Sequence, residues 1–573
     1  MSLKSLIRPF IGFIFIFLVI SACRPASDEN TSVRPSATDP VTPSPVAVAT
    51  HRIGVRTVNG AAEFYDLQSG NKFIPRGNNY IRLQKVEMTG GGSLQYHSTF
   101  NDDLYDPARA ETALAQMQAD GYNIVRVFIQ GSSAKGSVGS PEGGISASYA
   151  ANLVDFLNKA KAHNIYVILT TDSEPATDYY NAILNSSWSE DFSGCNFNYM
   201  TQGGVQVARQ FWTDLIDELK RQNAPLDAIF AYELRNELDF DTSAKPLSYT
   251  SGTVQTANGQ SYDMASAEDK QRMMDESLVY WLDHVREAIL KHDPTALVAA
   301  GFIVPDEPNP WPIAPRHIRT YPAVWQSSLD FLDFHPYPGG YALDKLAENY
   351  HMAGMEEKPV IMGEFGTTRS SYTSEASAAR ALHDWQVDSC NYGFDGWLLW
   401  TWDSDEQPDF YPGVSGEGSI DQVLCPVNRA DACQPGDFDF FEYDLALNKT
   451  ASASRSLPDQ QPSALIDGTA NSSWNAGGPP KQWVQIDLDE AMTIGKFRLT
   501  VAQSPAGDTL HELWVGPRAK ELSLLHTFEG YTKDGDVLEF QPDAPVENVR
   551  IIRVVTVKSP SWVAWREIEA LAP

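Results

Sequence analysis

The sequence predicts an α/β fold, a (β/α)8 TIM barrel, followed by an all-β sandwich of jelly-roll-like type. Three observations lead there. Eight short apolar runs recur between about residues 70 and 402, with amphipathic segments between most of them. The runs are continuous rather than alternating, as expected of parallel strands buried on both faces. After Tyr443 the helical period disappears, and short strand-like runs are separated by Gly, Pro, Asn and Asp.

The first fifty residues stand apart from this pattern. Lys4 and Arg8 precede the apolar run FIGFIFIFLVI at 10–20. That order marks an export signal, and the run is short of the roughly 20 apolar residues that span a bilayer. Its ending, VISAC, resembles a bacterial lipobox. Residues 1–22 are therefore expected to be a lipoprotein signal peptide and Cys23 the lipidated residue, the membrane being met only through that anchor; secretion is the alternative. Residues 23–50 carry Pro25, Pro35, Pro40, Pro43 and Pro45 and no period, which predicts a semi-extended tether.

The strands, in order, are KFIPRGNNY, NIVRVFI, IYVILTT, AIFAYELRNE, ALVAAGF, LDFLDFHPY, PVIMGEF and GWLLWTW. Among the helices, PARAETALAQMQADG has Asp106 as cap and Pro107 in the first position, with Ala110, Leu114 and Met117 on one face. AANLVDFLNKAKAH brings Leu153, Phe156, Leu157 and Ala160 together. Eight units predict a closed barrel over 51–440; no GxGxxG follows the first strand to favour an open doubly wound sheet. In the sandwich, over 445–573, WVQIDL, KFRLTV and NVRIIRVV read as strands.

Composition narrows the partners. The formal net charge is −31, from 74 acidic and 43 basic residues. Such a surface repels nucleic acid and anionic lipid and leaves a neutral polymer, such as a polysaccharide, as the fitting partner. Export places the cysteines where disulfides form. Cys425 and Cys433 are spaced to close a small bridge, while Cys195 and Cys390 remain either a second pair or buried thiols. No CxxC spacing supports zinc.

In such a barrel the active site forms where the strands end. Strand two is expected to end near Arg126, strand four ends in Asn236 and Glu237, and strand six ends in His335 and Tyr337. Strand seven offers Glu364, and strand eight ends in Trp400 and Trp402. Carboxylates at the ends of strands four and seven project into one bowl. Glycoside hydrolysis uses such a pair, one protonated to donate to the leaving oxygen and one ionised to meet the anomeric carbon. An arginine keeps one of them anionic, and aromatic faces stack on sugar rings.

The motifs VRVF, RNEL, HPY and MGEFG resemble glycoside hydrolase family 5, the cellulase and mannanase family, across roughly 55–405. The resemblance implies a retaining enzyme of endo-β-glycanase type that needs no cofactor for catalysis. It implies Glu237 as acid/base, Glu364 as nucleophile and Asn236 on the sugar 2-hydroxyl. Arg126 and Tyr337 would steady Glu364, with His335 beside them and Trp400, or else Trp402, beneath the sugar. The chain departs from the family in three places. No His stands near the end of strand three, where Thr171, Asp172 and Glu174 occur; Leu238 replaces the Pro that commonly follows the acid/base; and a long polar insertion spans 240–266. Two other readings stay open: a catalytically inactive surface glycan-binding lipoprotein, and a transglycosylase using the same residues.

The stretch from NKTASAS to WVQIDL (448–488) and the ending WVAWREIEAL (562–571) resemble a discoidin, or coagulation factor 5/8 type C, domain. In carbohydrases such domains resemble family 32 carbohydrate-binding modules. That implies glycan capture, raising substrate concentration near a linked catalytic domain. It also implies a structural calcium held by Asp467, with Glu567 completing the site.

Overall fold

Eight parallel strands follow one another round a barrel: β1 (Arg76–Asn79), β2 (Ile124–Ile129), β3 (Tyr166–Thr171), β4 (Ile229–Glu233), β5 in two pieces (Leu297–Ala299 and Gly301–Ile303), β6 (Leu332–His335), β7 (Val360–Phe365) and β8 (Gly396–Leu399). Each pairs in parallel with the next, and β8 pairs with β1. The first piece of β5 pairs with β4 and the second with β6, so the ring closes across Ala300. The computed structural model describes residues 51–573 apart from 83, 89–90, 96, 130, 132–135, 304–320, 339–341, 403–406, 408, 412 and 414–417. The expected signal peptide, Cys23 and the tether lie outside the described residues.

Every residue of β2, β3 and β7 is buried. One face of each strand meets the barrel interior and the other the helices, which is why these runs are apolar without alternation. Helix α1 (Pro107–Ala119) starts at Asp106, whose Oδ1 accepts the Ala108 and Arg109 N–H groups at 3.0 Å each. It buries Ala110, Ala113, Leu114 and Met117. Helix α2 (Ala147–Ala162) is capped by Ser146 and buries Leu153, Phe156, Leu157 and Ala160. Among the described residues no helix is long and apolar enough to cross a membrane.

A hairpin (Ile53–Val58 with Ala61–Asp66) precedes the first strand read from sequence and packs into one end of the barrel. Phe64 lies 5.1 Å from Phe230 and 5.2 Å from Phe331, in a cluster with Ile53, Ile124, Ile168, Leu297, Ile361 and Leu398. Burying Phe64 contributes about 1.5–3 kcal/mol. With that end filled by hydrocarbon, polar side chains collect at the other.

The cysteine pairing differs from both spacings considered. Cys390 bonds to Cys433, with Cα atoms 5.8 Å apart, and Cys425 stays a buried thiol. The bridge ties the end of the helix Glu375–Ser389 to a loop 43 residues on. Neither the Cys425–Cys433 nor the Cys195–Cys390 bridge forms, because proximity here is set by the packing of helix and loop rather than by spacing along the chain.

The described chain divides into two compact units between Glu442 and Tyr443. The second is an antiparallel sandwich. One sheet has five strands in the order Thr450–Ala453, Gln482–Ile494, Val546–Lys558, Gly507–Gly516, Ser523–Thr532. The other has four: Trp474–Asn475, Ala564–Leu571, Lys496–Val501, Val537–Phe540. Trp474, Trp565, Phe497, Ile486 and Val554 fill the space between them.

Candidate active site

At the C-terminal ends of the strands the barrel gathers a polar cluster around Arg126. This guanidinium is fully buried, so each of its N–H groups needs an acceptor. Nε and Nη2 reach Glu233 Oε2 and Oε1 at 3.1 and 2.6 Å, as a bidentate pair. Nη1 reaches Glu364 Oε1 at 2.6 Å and Asn79 Oδ1 at 3.1 Å, while Nη2 also reaches Asn236 Oδ1 at 2.7 Å. One side chain thus ties together residues from β1, β2, β7 and the end of β4.

Beyond Glu233, β4 does not simply stop. The N–H groups of Leu234, Asn236 and Leu238 bond to carbonyls of Ala299, Thr171 and Gly301, so the chain is held on both sides. Glu237 then takes a left-handed backbone conformation, φ 41°. A non-glycine residue there is uncommon and marks a constrained position. Its carboxylate is 17% exposed, against 6% for that of Glu364. His335 Nδ1 stands between them, 3.2 Å from Glu237 and 3.7 Å from Glu364. One nitrogen or carboxylate oxygen from each of the three residues lies within 4.8 Å of the others.

Glu364 is built to be an anion that is hard to form. Burial pushes its carboxyl above the ordinary range, and Glu237 adds to that; His335, Arg126 and the Tyr337 hydroxyl oppose it. Tyr337 donates to Glu364 Oε2 at 2.8 Å, so both carboxylate oxygens have donors. Burial, then the neighbouring Glu364, keeps the Tyr337 phenol protonated well beyond its usual range.

Of the residues read from sequence, Arg126, Asn236, Glu237, His335, Tyr337 and Glu364 come together here. Trp400 joins them on one side, with Phe128, Ile81, Phe410 and Tyr337 around it and its Nε1 donating to Gln407 at 2.8 Å. Trp402 does not join. Its ring lies on Tyr80, 5.9 Å away, which stacks on Phe156 of α2. Two residues along an extended backbone would share a face, but β8 ends at Leu399, so that rule no longer holds for this pair.

Several neighbours escaped the sequence reading. Glu233 and Asp333 are fully buried beneath the bowl. Each was legible as a carboxylate inside an apolar run, the same oddity that singles out Glu364. His97, from the segment before α1, stacks on Phe128 at 3.6 Å and sets Nε2 3.2 Å from Asp172 at the end of β3. Burial lowers its pKa to about 4, with Asp172 opposing and Arg126 assisting, so it is neutral at pH 7. His97 thus brings an imidazole beside the end of strand three from another part of the chain.

In the sandwich, Glu567 is 2% exposed; its Oε1 accepts the Gly468 N–H at 3.1 Å, and its Oε2 has no hydrogen-bond partner among the described residues. Asp467 accepts from Thr469 and Ser472. Burial, then Asp467, Asp444 and Glu569, push the Glu567 carboxyl well up. An orphaned buried carboxylate oxygen beside a second acid fits a hard cation.

A family model described as Cellulase (glycosyl hydrolase family 5) matches residues 83–406, and one described as F5/8 type C domain matches 448–568. No curated protein matches the chain. Among solved structures, an exo-β-1,4-mannosidase from Opitutaceae bacterium strain TAV5 is similar at 17% identity over 66% of this chain and 63% of its own, with a TM-score of 0.43. This chain therefore spans less than two thirds of that mannosidase's length. An endo-1,4-β-mannanase from Rhizomucor miehei is similar at 15% identity over 66% of this chain and all (100%) of its own, TM-score 0.46. The family 32 carbohydrate-binding module of C. perfringens NanJ, solved with galactose, is similar at 18% identity over 23% of this chain and 100% of its own, TM-score 0.21.

Proposed function

The chain belongs to glycosyl hydrolase family 5, and from that premise we propose that it hydrolyses a β-linked glycan with net retention. The observation that carries this reading is the Glu237–Glu364 pair, whose close approach supports double displacement rather than direct attack by water. Glu364, oriented by Arg126 and Tyr337, attacks the anomeric carbon as the glycosidic C–O bond breaks. Glu237 gives its proton to the departing oxygen, then takes one from the water that releases the sugar. Asn236 has its Oδ1 engaged by Arg126, which orients the amide's N–H donors for a sugar hydroxyl. Trp400 offers the stacking face. Glu364→Gln should lower kcat by several orders of magnitude on any glycan of a β-mannan and β-glucan panel that the native enzyme cleaves, with circular dichroism unchanged. Near-native turnover would remove the nucleophile assignment, and an inverted product seen by NMR would remove retention.

The reading includes cleavage within the glycan chain, checked by viscosity falling ahead of reducing-end release. The sandwich is proposed to hold the same class of glycan; Trp562, 54% exposed, is its largest exposed aromatic among the described residues. Asp467 and Glu567 would hold calcium there as a structural ion. Export and lipidation at Cys23 complete the proposal on the strength of the signal-like segment, and Cys23→Ser should release the protein from the membrane fraction.

A further inference from the structure

Beneath the bowl lie two carboxyl groups that the hydrolysis does not use. Glu233 and Asp333 are both wholly buried, inward from β4 and β6. The barrel makes room for them with glycines. A Cβ on Gly363 would sit 2.0 Å from both Asp333 oxygens, and one on Gly301 would sit 2.8 Å from Glu233 Oε1. Glu233 accepts from Arg126 twice and from Thr170 Oγ1 at 2.8 Å. Asp333 Oδ1 accepts the Gly363 N–H at 2.6 Å, next to Glu364. Among the described residues Asp333 Oδ2 has no donor; the Arg126 Nε is 3.7 Å away.

The charges decide what this means. Among the described residues the pair is faced by Arg126 from β2, Thr170 from β3, His335 from β6 and Glu364 from β7. Three buried carboxyls share one guanidinium, and His335 Nε2 is 3.6 Å from Asp333 Oδ1. Like charges that close cannot all ionise out of water. A proton on Asp333 Oδ2 removes the excess charge and turns the donorless oxygen into a donor toward Glu233.

We propose that Asp333 and Glu233 act as one acid–carboxylate pair with a single shared proton, positioning Arg126 and the strand that carries Glu364. The pair presents one negative charge to Arg126, leaving the guanidinium able to serve Glu364 as well. Burial first, and the Glu233 charge next, hold Asp333 protonated well above its usual range. Burial opposes ionisation of Glu233 too, but Arg126 outweighs it and keeps Glu233 anionic. Both are positioning residues, and that role, unlike the shared proton itself, rests on Glu364 being the nucleophile.

The test is a double-mutant cycle with two readouts. Glu233→Gln leaves Asp333 to ionise, and Asp333→Asn leaves Glu233 ionised, so each single variant keeps one negative charge. Both should lower kcat, yet hold the acid limb of kcat/KM within about 0.3 pH unit of the native value. The double variant removes the charge, strengthens the pull of Arg126 on Glu364 and should move that limb down by about 1–2 units. Infrared difference spectra at neutral pH should show one buried protonated carboxyl lost in either single variant, a readout independent of turnover. A downward shift in either single variant, or no lost carboxyl band, overturns the proposal. If one single variant does not fold, the other carries both readouts. If Glu364→Gln stays active while the band behaves as expected, the nucleophile assignment fails and the shared proton stands.

Discussion

Tyr337→Phe isolates one hydrogen bond to Glu364. The substitution removes the hydroxyl that donates to Oε2 at 2.8 Å and keeps the ring, whose centroid lies 6.4 Å from that of Phe410. A hydrogen bond to a charged acceptor contributes about 1.5–3 kcal/mol. One pKa unit corresponds to about 1.36 kcal/mol, so Glu364 should titrate about 1–2 units higher in the variant. The sign follows from the partners. The Tyr337 bond favours the ionised carboxylate against burial and the Glu237 charge, so losing it lets Glu364 keep its proton to higher pH. An ionised nucleophile then appears only at higher pH, and the acid limb of kcat/KM moves up. Tyr337 itself stays protonated throughout, so its own ionisation does not contribute. The assay is the pH profile of kcat/KM on a cleaved glycan, with thermal unfolding as the folding control. A limb that stays in place or moves to lower pH refutes the reasoning.

Further predictions concern the frame around the site. Gly363→Ala forces a methyl group against both Asp333 oxygens and should cost at least about 1–3 kcal/mol of stability, read by urea unfolding, with a fall in kcat. Cys390→Ser opens a bridge spanning 43 residues and should cost about 2–4 kcal/mol, whereas Cys425→Ser should cost far less. In chelator, Glu567 binds its proton more tightly folded than unfolded. That stabilisation is complete below the ordinary glutamate range and is lost as pH rises through the raised folded value. Melting of the sandwich should therefore fall with rising pH in chelator, and calcium should flatten the dependence; a flat chelated curve argues against the site.

Much of this protein is legible along the chain. A strand is a local object, so the eight continuous apolar runs appear in sequence before any contact is known, and a barrel of parallel strands sends all their C-terminal ends to one face. Glu237, Tyr337 and Glu364 could be named on that ground alone; Arg126 could not, because β2 runs on past it to Ile129. Glu233 and Asp333 show the limit. Each is visibly a charge in an apolar strand, but whether two such charges meet depends on the pairing of β4, β5 and β6 and on the absence of side chains at Gly301 and Gly363. His97 reaches the bowl from outside any strand, and Trp402 leaves it because β8 has already ended. Cys433 finds Cys390 rather than its near neighbour Cys425. Periodicity is set by residues a few positions apart and can be read from order alone. Protonation, pairing and access are set by atoms that meet only once the ring has closed, and those the tertiary structure decided.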